Sequence, residues 1–457
     1  MREIDHTTLH RTAKYFMDSG RAESPEEALR LLQSFGLSIA IGAEAAASYE
    51  GQVALLTLVN LARRTFLAGV EVVGLPDTPR IAPLADATGL REAVAELGGC
   101  VSATAHRQWP VAVIGDAAVP ADGVGWRLSW DGWRGGVVPL REQAPFLSPA
   151  TMALAPAMAA AACTAELFAY HAGDHPLAGK RRAGFSLWRP GSDWTRPDAD
   201  EPTLAYLPSR LWLIGLGNLG QAYSWLLACL PYRDPSQVEL MLQDFDRMAV
   251  SNDSTSVLAR IEAAERMKTR WVADWLERRG FRTALEERRF GPWTQRQDWE
   301  PGVGLCGVDN ALARASLEKV GFELVVESGL GGGPHGFRNF SLHSFPSSRR
   351  AEDIWSLSAA AAPDLSDLPA YAGLRKRGMD QCGLGQLASR TVGVPFVGLI
   401  AGGFVFAELL RRLHGGQAYQ VVAGSAASLG DIEASPFDSD PYGFGYVEAK
   451  DSIGKLA

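Results

Sequence analysis

The chain has 457 residues, 47% of them hydrophobic and 21% charged, which implies a globular protein of two or three domains and excludes a disordered or fibrous one. Its 44 basic and 52 acidic residues give a formal charge of -8, and no basic block exceeds short runs such as Lys180-Arg181-Arg182, so nucleic acid is excluded as a main partner. There is no signal-type apolar opening, no uncharged run long enough to span a membrane and no CxxC pair among five scattered cysteines, so the expected compartment is reducing cytoplasm, without structural zinc.

Residues 1–36 predict helices, with Ser24-Pro25-Glu26-Glu27 supplying an N-cap, a first-turn proline and acidic first-turn residues. Alternating elements follow: strand 37–41, helix 50–68, strand 70–74, helix 90–97 and strand 110–115. A hairpin is expected over 126–139 around Asp131-Gly132, then a helix over 151–171, whose Glu166 argues for a buried helix rather than a membrane span. Residues 173–208 are dense in Gly, Pro and Trp, the texture of a linker or crossover.

The second half repeats the plan. Strand 211–214, helix 221–230, strand 238–243, helix 263–279, strand 303–308, helix 311–319 and strand 323–327 predict an α/β fold with a mostly parallel, doubly wound sheet. Strand 336–345 leaves that pattern, residues 346–382 look like a polar insertion, and helix 396–414 closes the domain. Helices 151–171 and 396–414 are both rich in small residues and share an A-E-L turn, which suggests an internal duplication into domains 1–172 and 209–457.

The chemistry concentrates where the apolar run 211–214 opens into Gly215-Leu216-Gly217-Asn218-Leu219-Gly220 and a helix. The first glycine permits a tight turn, the second lets backbone approach a phosphate, and the third lets the helix pack close while its N-terminal dipole faces the anion. The first half has Ile41-Gly42-Ala43-Glu44-Ala45-Ala46 at this point, where Glu44 would set a carboxylate toward any phosphate, so it is expected to be nucleotide-incompetent. Asp244 follows Gly220 by 24 residues and ends the next strand, where a carboxylate can hold ribose hydroxyls. Taken alone this fingerprint also suits an NAD-dependent oxidoreductase.

The further run Asp244-Phe245-Asp246, Ser251-Asn252, Lys268 and Val308-Asp309-Asn310 with Arg314 closely resembles the ThiF/MoeB and ubiquitin-activating enzyme superfamily over residues 211–414. The resemblance implies two Rossmann-like adenylation-type domains, an inactive N-terminal copy and an active C-terminal one. Within the superfamily it is most like the activating enzymes of bacterial antiviral ubiquitin-like conjugation operons. It implies ATP bound with its ribose on Asp244 and its phosphates near Gly217, Asn252 and Lys268. Gly215, Gly220, Asp246, Ser251, Asn310 and Arg314 join the same binding set, and Asp309 takes Mg2+. The C-terminal carboxylate of a ubiquitin-like protein ending in glycine would be adenylated, passed to Cys382 as a thioester and handed to a conjugating-enzyme homologue, the chain itself acting as a possible homodimer.

A further arginine is implied, reaching into the site from a partner subunit or from the N-terminal segment of the inactive half, with Arg11 and Arg21 as candidates. The family pattern departs at Thr255, where arginine is usual, and Arg260 is a candidate replacement. Plainer readings stand beside these. Asp246 and Ser251 could form turns, Lys268 could be a solvated surface lysine, Asp309-Asn310 could cap the helix at Ala311, and Cys382 could lie in a loop without a role. Cys163, Cys229 and Cys306 suit inert core thiols, and His335 and His343 structural positions. The alternatives at the level of function are a sulfur-carrier adenylyltransferase, the oxidoreductase and a catalytically dead scaffold.

Overall fold

A computed structural model describes residues 5, 7–118, 123–146, 152–355, 365 and 367–450. An N-terminal segment carries α1 (Lys14–Asp18) and α2 (Pro25–Leu32), the latter started by Ser24, whose side chain accepts from the Glu27 N–H at 3.1 Å. The first half then runs β1 (Gly36–Ile41), α3 (Ala43–Ala47), α4 (Tyr49–Thr65), β2 (Gly69–Val73), α5 (Leu90–Glu96), β3 (Cys100–Ser102), β4 (Val111–Ile114), β5 (Gly125–Asp131), β6 (Arg134–Pro139), α6 (Leu154–Ala172) and β7 (Ala183–Ser186). Its sheet is ordered β3-β2-β1-β4-β5-β6-β7, parallel through β5 and antiparallel beyond.

After β8 (Tyr206–Pro208), the second half repeats the order. It comprises β9 (Arg210–Ile214), α7 (Asn218–Cys229), β10 (Glu239–Gln243), α8 (Lys268–Glu277), β11 (Arg282–Glu286), β12 (Val303–Cys306), α9 (Ala311–Ala315), β13 (Leu324–Leu330), α10 (Gly333–Gly336) and β14 (Asn339–Phe345). Next come α11 (Ala351–Trp355), α12 (Pro369–Lys376), α13 (Gln381–Ser389), α14 (Pro395–Leu413), β15 (Ala418–Ser425), β16 (Ser428–Phe437) and β17 (Tyr446–Glu448). The sheet β11-β10-β9-β12-β13-β14-β15-β16 matches the first strand for strand through β15, and its first five strands are again parallel. The α/β class with two mostly parallel sheets is therefore observed.

The parallel strands are buried on both faces, so they carry uninterrupted apolar runs rather than alternation: Leu211, Leu213, Ile214, Val303, Leu305 and Val326 are all inaccessible to solvent. The two halves meet through α4, α6, α7 and α14, with α6 packed on α4 and α14, and α14 on α7. Small residues let these helices approach closely. A Cβ added at Gly403 of α14 would lie 2.1 Å from the Met158 sulfur of α6, and one at Gly398 would lie 2.0 Å from the Asn218 side-chain oxygen. The small-residue texture that suggested a duplication is thus also a packing requirement of this shared layer.

Several elements differ from the sequence expectation. The expected crossover 173–208 contains β7, which pairs antiparallel with β6 and completes the first sheet. The helix expected over 263–279 begins only at Lys268, because Glu265 adopts φ 69 and breaks the chain into a 3-10 turn, Ile261–Ala263, and the helix proper. The polar insertion holds α11 and α12, while residues 356–364 and 366 within it, and the expected helix start at Thr151, lie outside the described residues. Strands β15 to β17 were not anticipated. No helix among the described residues is long and apolar enough to cross a membrane.

Candidate active site

Strand order reverses between β9 and β12: the chain leaves β9 toward β10 and β11 on one side and returns through β12 to β13 on the other. At such a switch point the two connections diverge and leave a crevice at the carboxyl ends of the strands. Here the crevice is a cleft of about 420 Å³. Gly215 forms its floor at φ 84, and a Cβ there would meet Val308 at 2.8 Å. A Cβ on Gly220 would sit 2.0 Å from the Gly215 carbonyl oxygen, so this glycine fixes how closely α7 seats on the turn. Gly217 has nothing within 4 Å of its Cβ position and faces open space in the cleft.

Asp244, 8% exposed, accepts the Leu216 N–H at 2.7 Å through one oxygen and the Asp246 N–H at 2.8 Å through the other. It therefore ties the glycine turn to the end of β10. Lys268 is buried rather than a solvated surface lysine, and its ammonium donates to Asp246 at 2.8 Å and lies 3.8 Å from Asp244. A cation in the first turn of α8 has the wrong sign for the helix dipole, and the two carboxylates offset that cost. The arrangement leaves an ammonium on the cleft wall ready to exchange one anion for another.

Asp309 lines the cleft from the end of β12, and Asn310 caps α9 by accepting the Ala313 N–H at 3.0 Å. The capping role thus falls to Asn310 and leaves Asp309 facing the cavity. Arg314 lines the same wall, but its Nε donates to the Val308 carbonyl at 2.7 Å and lies 3.2 Å from the fully buried Glu327, which also meets His343 at 2.9 Å. Asn252 lines the cleft while its side-chain oxygen accepts from Ala249 N–H at 2.8 Å. Ser251 and Gly220 sit behind the lining, Ser251 donating its N–H to the Thr7 carbonyl at 2.7 Å.

Of the two N-terminal arginines, the structure brings Arg11 to the cleft and leaves Arg21 away from it, where Arg21 donates to the Ala172 carbonyl at 2.6 Å. Arg11 is fixed by Thr391, donating to its carbonyl at 2.7 Å and its hydroxyl at 2.9 Å. Burial, with the charge of Arg390 close by, lowers the Arg11 pKa to about 10, while Asp309 and Asp18 oppose the shift. Thr255 also lines the cleft, whereas Arg260 turns to the first half and donates to the Glu96 carbonyl at 2.8 Å. Arg390 and Arg289 line the wall as well, and sequence reasoning missed both. Arg289 lies 5.4 Å over the Phe245 ring, and its only sequence signal is a basic residue close after a strand end.

Cys382 is exposed at the second position of α13, behind the N-cap Asp380, and not in an irregular loop; the helix leads directly into the cleft-lining segment 390–394. Burial raises the pKa of Cys163, Cys229 and Cys306, as inert core thiols require. Among the described residues no group of three or more His, Cys, Asp or Glu could hold a metal ion, so a divalent cation here would rest on Asp309 and on ligands brought by a substrate.

Family models described as the BilD N-terminal domain and the BilD C-terminal domain match residues 36–187 and 207–416. A curated relative, the bacterial E1-like protein BilD of Collimonas sp. (strain OK412), is 57% identical over 98% of this chain and 97% of its own length. Among solved structures, E. coli MccB with MccA-N7isoASN aligns with a TM-score of 0.36 at 11% identity, covering 51% of this chain and 65% of that one. The protein described as TcdA (CsdL) aligns at 0.30 and 16%, covering 45% and 86%.

Proposed function

Because the chain belongs to the BilD family of bacterial E1-like proteins, we propose that it uses Mg-ATP to adenylate the C-terminus of a small ubiquitin-like protein. The observation that carries this reading is the buried Lys268, held beside Asp246 and Asp244 on one wall of a cleft that Asp309 and Arg11 line as well. Phosphoryl chemistry of this kind needs the triphosphate neutralised and held in line with the attacking oxygen, and it needs no covalent catalyst. In this reading Asp244 holds the ribose, Gly217, Asn252 and Lys268 face the phosphates, and Arg11 adds a cation from the N-terminal segment. Mg2+ on Asp309 supplies further neutralisation of the phosphate charge.

The carrier's carboxylate oxygen attacks the α-phosphorus and pyrophosphate leaves, giving a mixed anhydride. The Cys382 thiolate then attacks the acyl carbon and AMP leaves, giving a thioester for a conjugating-enzyme homologue. The N-terminal half is the inactive copy, and the pathway is bacterial antiviral conjugation in the cytoplasm.

ATP-pyrophosphate exchange with a candidate carrier ending in glycine tests the first step. Lys268→Ala is expected to lower it by about a hundredfold or more, since one oriented charge on a developing phosphate anion is worth that much. Exchange at background with every candidate carrier would overturn the reading. For the second step, a thiol-sensitive adduct should vanish in Cys382→Ala and persist as an ester in Cys382→Ser, and an adduct indifferent to Cys382 would return the reading to a sulfur-carrier adenylyltransferase.

A further inference from the structure

The segment that carries Asn252, Thr255 and Ser256 on the cleft wall is not held by its own domain alone. Arg64, on α4 of the N-terminal half and 3% exposed, donates through Nη1 to the Asp253 carbonyl and lies 3.2 Å from the Asp253 carboxylate. Through Nη2 it donates to the carbonyls of Val257 at 2.8 Å and Ala259 at 2.9 Å. Its Nε donates to the Asn60 oxygen at 3.2 Å, and the Asn60 amide in turn donates to Val257 at 3.0 Å. Arg63 adds a two-pronged contact to the Asp253 carboxylate at 2.8 and 3.1 Å.

We propose that Arg64 is a positioning residue of the cleft in the opposite half, holding residues 253–259 so that Asn252, Thr255 and Ser256 present to the bound nucleotide. Three features support it. The carbonyls that Arg64 engages belong to the last turn of a short 3-10 helix, at Asp253, and to the irregular stretch after it, at Val257 and Ala259, where the backbone path is set by what binds it. The guanidinium fork is planar and rigid, so several acceptors bound at once fix a shape and not merely an attachment. On its other side the stretch is tied to the glycine turn by Gln221, which accepts from Leu258 N–H at 3.0 Å and donates to the Leu216 carbonyl at 3.0 Å. The segment is thus clamped between the glycine turn and the N-terminal half. Where the family pattern places an arginine within this loop, this chain has Thr255, and an arginine from the other half sets the loop's shape from outside.

The proposal rests on the adenylation reading only for the identity of the nucleotide. Arg279 provides the comparison: it also joins the halves, donating to the Pro83 carbonyl at 2.7 Å beside Asp86 at 3.2 Å, but the segment it holds, around residues 83–86, carries none of the cleft lining, whereas the one Arg64 holds carries Thr255 and Ser256. In calorimetric titration of the full chain with Mg-ATP, Arg64→Ala should weaken affinity about tenfold, Arg64→Lys should recover little of it because one ammonium cannot span these acceptors, and Arg279→Ala should stay within about twofold. Affinity unchanged in Arg64→Ala, or lost equally in Arg279→Ala, would overturn the proposal. If the wild-type chain binds no Mg-ATP, the adenylation reading fails instead, and amide exchange of the free protein decides the clamp. Faster exchange at Thr255, Ser256 and Ala259 in Arg64→Ala than in Arg279→Ala supports it, and equal exchange overturns it.

Discussion

The two halves share a strand order through seven strands, and the cleft lined by Gly215, Asp244 and Asp309 opens at the switch point of the second. In the first half β1 runs through Gly42 into a short helix, α3, which stops at Ser48 before α4 begins, and the exposed Glu44 occupies its first turn. In the second half β9 turns at Gly215 and α7 continues unbroken over 12 residues. After β2 the position equivalent to Asp244 is Gly74, at φ 76, which has no carboxylate to offer there. A sheet topology therefore supplies a crevice, and a few residues at the strand ends decide whether it holds a ligand.

The glycines that seat the helices allow the sharpest test of this contrast. A Cβ on Gly220 would approach the Gly215 carbonyl oxygen to 2.0 Å, and one on Gly51 would approach the Ala45 carbonyl oxygen to 1.9 Å, so the insult is the same in both halves. Gly220→Ala should lower pyrophosphate exchange about a hundredfold by displacing the turn. Gly51→Ala should cost about 1–3 kcal/mol of stability by chemical denaturation while nucleotide affinity holds. Equal loss of affinity in both would show that the halves are not functionally distinct.

An effect confined to acid pH is expected at the seam between them. His10 is half-buried near Asp253 and Arg63, its buried Nδ1 has no hydrogen-bond partner among the described residues, and desolvation lowers its pKa from 6.5 to about 4. The unfolded chain then binds the proton more readily than the folded one. Stability should be complete above pH 6.5 and fall by up to about 3 kcal/mol as pH drops toward 4. Replacing His10 with Gln should flatten that part of a pH series of denaturation midpoints, and an unchanged slope would exclude His10 as its source. The smallest effect belongs to Glu44→Ala, which should leave Mg-ATP affinity of the whole chain within error, because removing one carboxylate does not supply the missing glycines and Asp.

Much of this architecture is legible in the sequence because it is local. The apolar runs at β9, β10 and β12 and the glycines after β9 are contiguous signals; the strand ends place Asp244 and Asp309, and the start of α8 places Lys268, around one cleft. Arg390 and Arg64 are invisible by the same logic. Arg390 stands alone between helices and Arg64 follows Arg63 near the end of a helix, and the relevance of each comes from partners met only when the chain folds, in the case of Arg64 almost 200 positions away. Strand β7 escaped because Ala183–Ser186 is too short to show a period between proline-rich flanks. Strands β15 and β16 form the far edge of a sheet, where partial exposure blurs the apolar pattern.

The helical layer between the sheets carries a last consequence. Helices α6 and α14 are each almost wholly inaccessible, and each half relies on the other's helix to keep it so. Residues 207–450 produced by themselves would present parts of α7 and α14 to water as an apolar, association-prone face that the N-terminal half covers in the full chain.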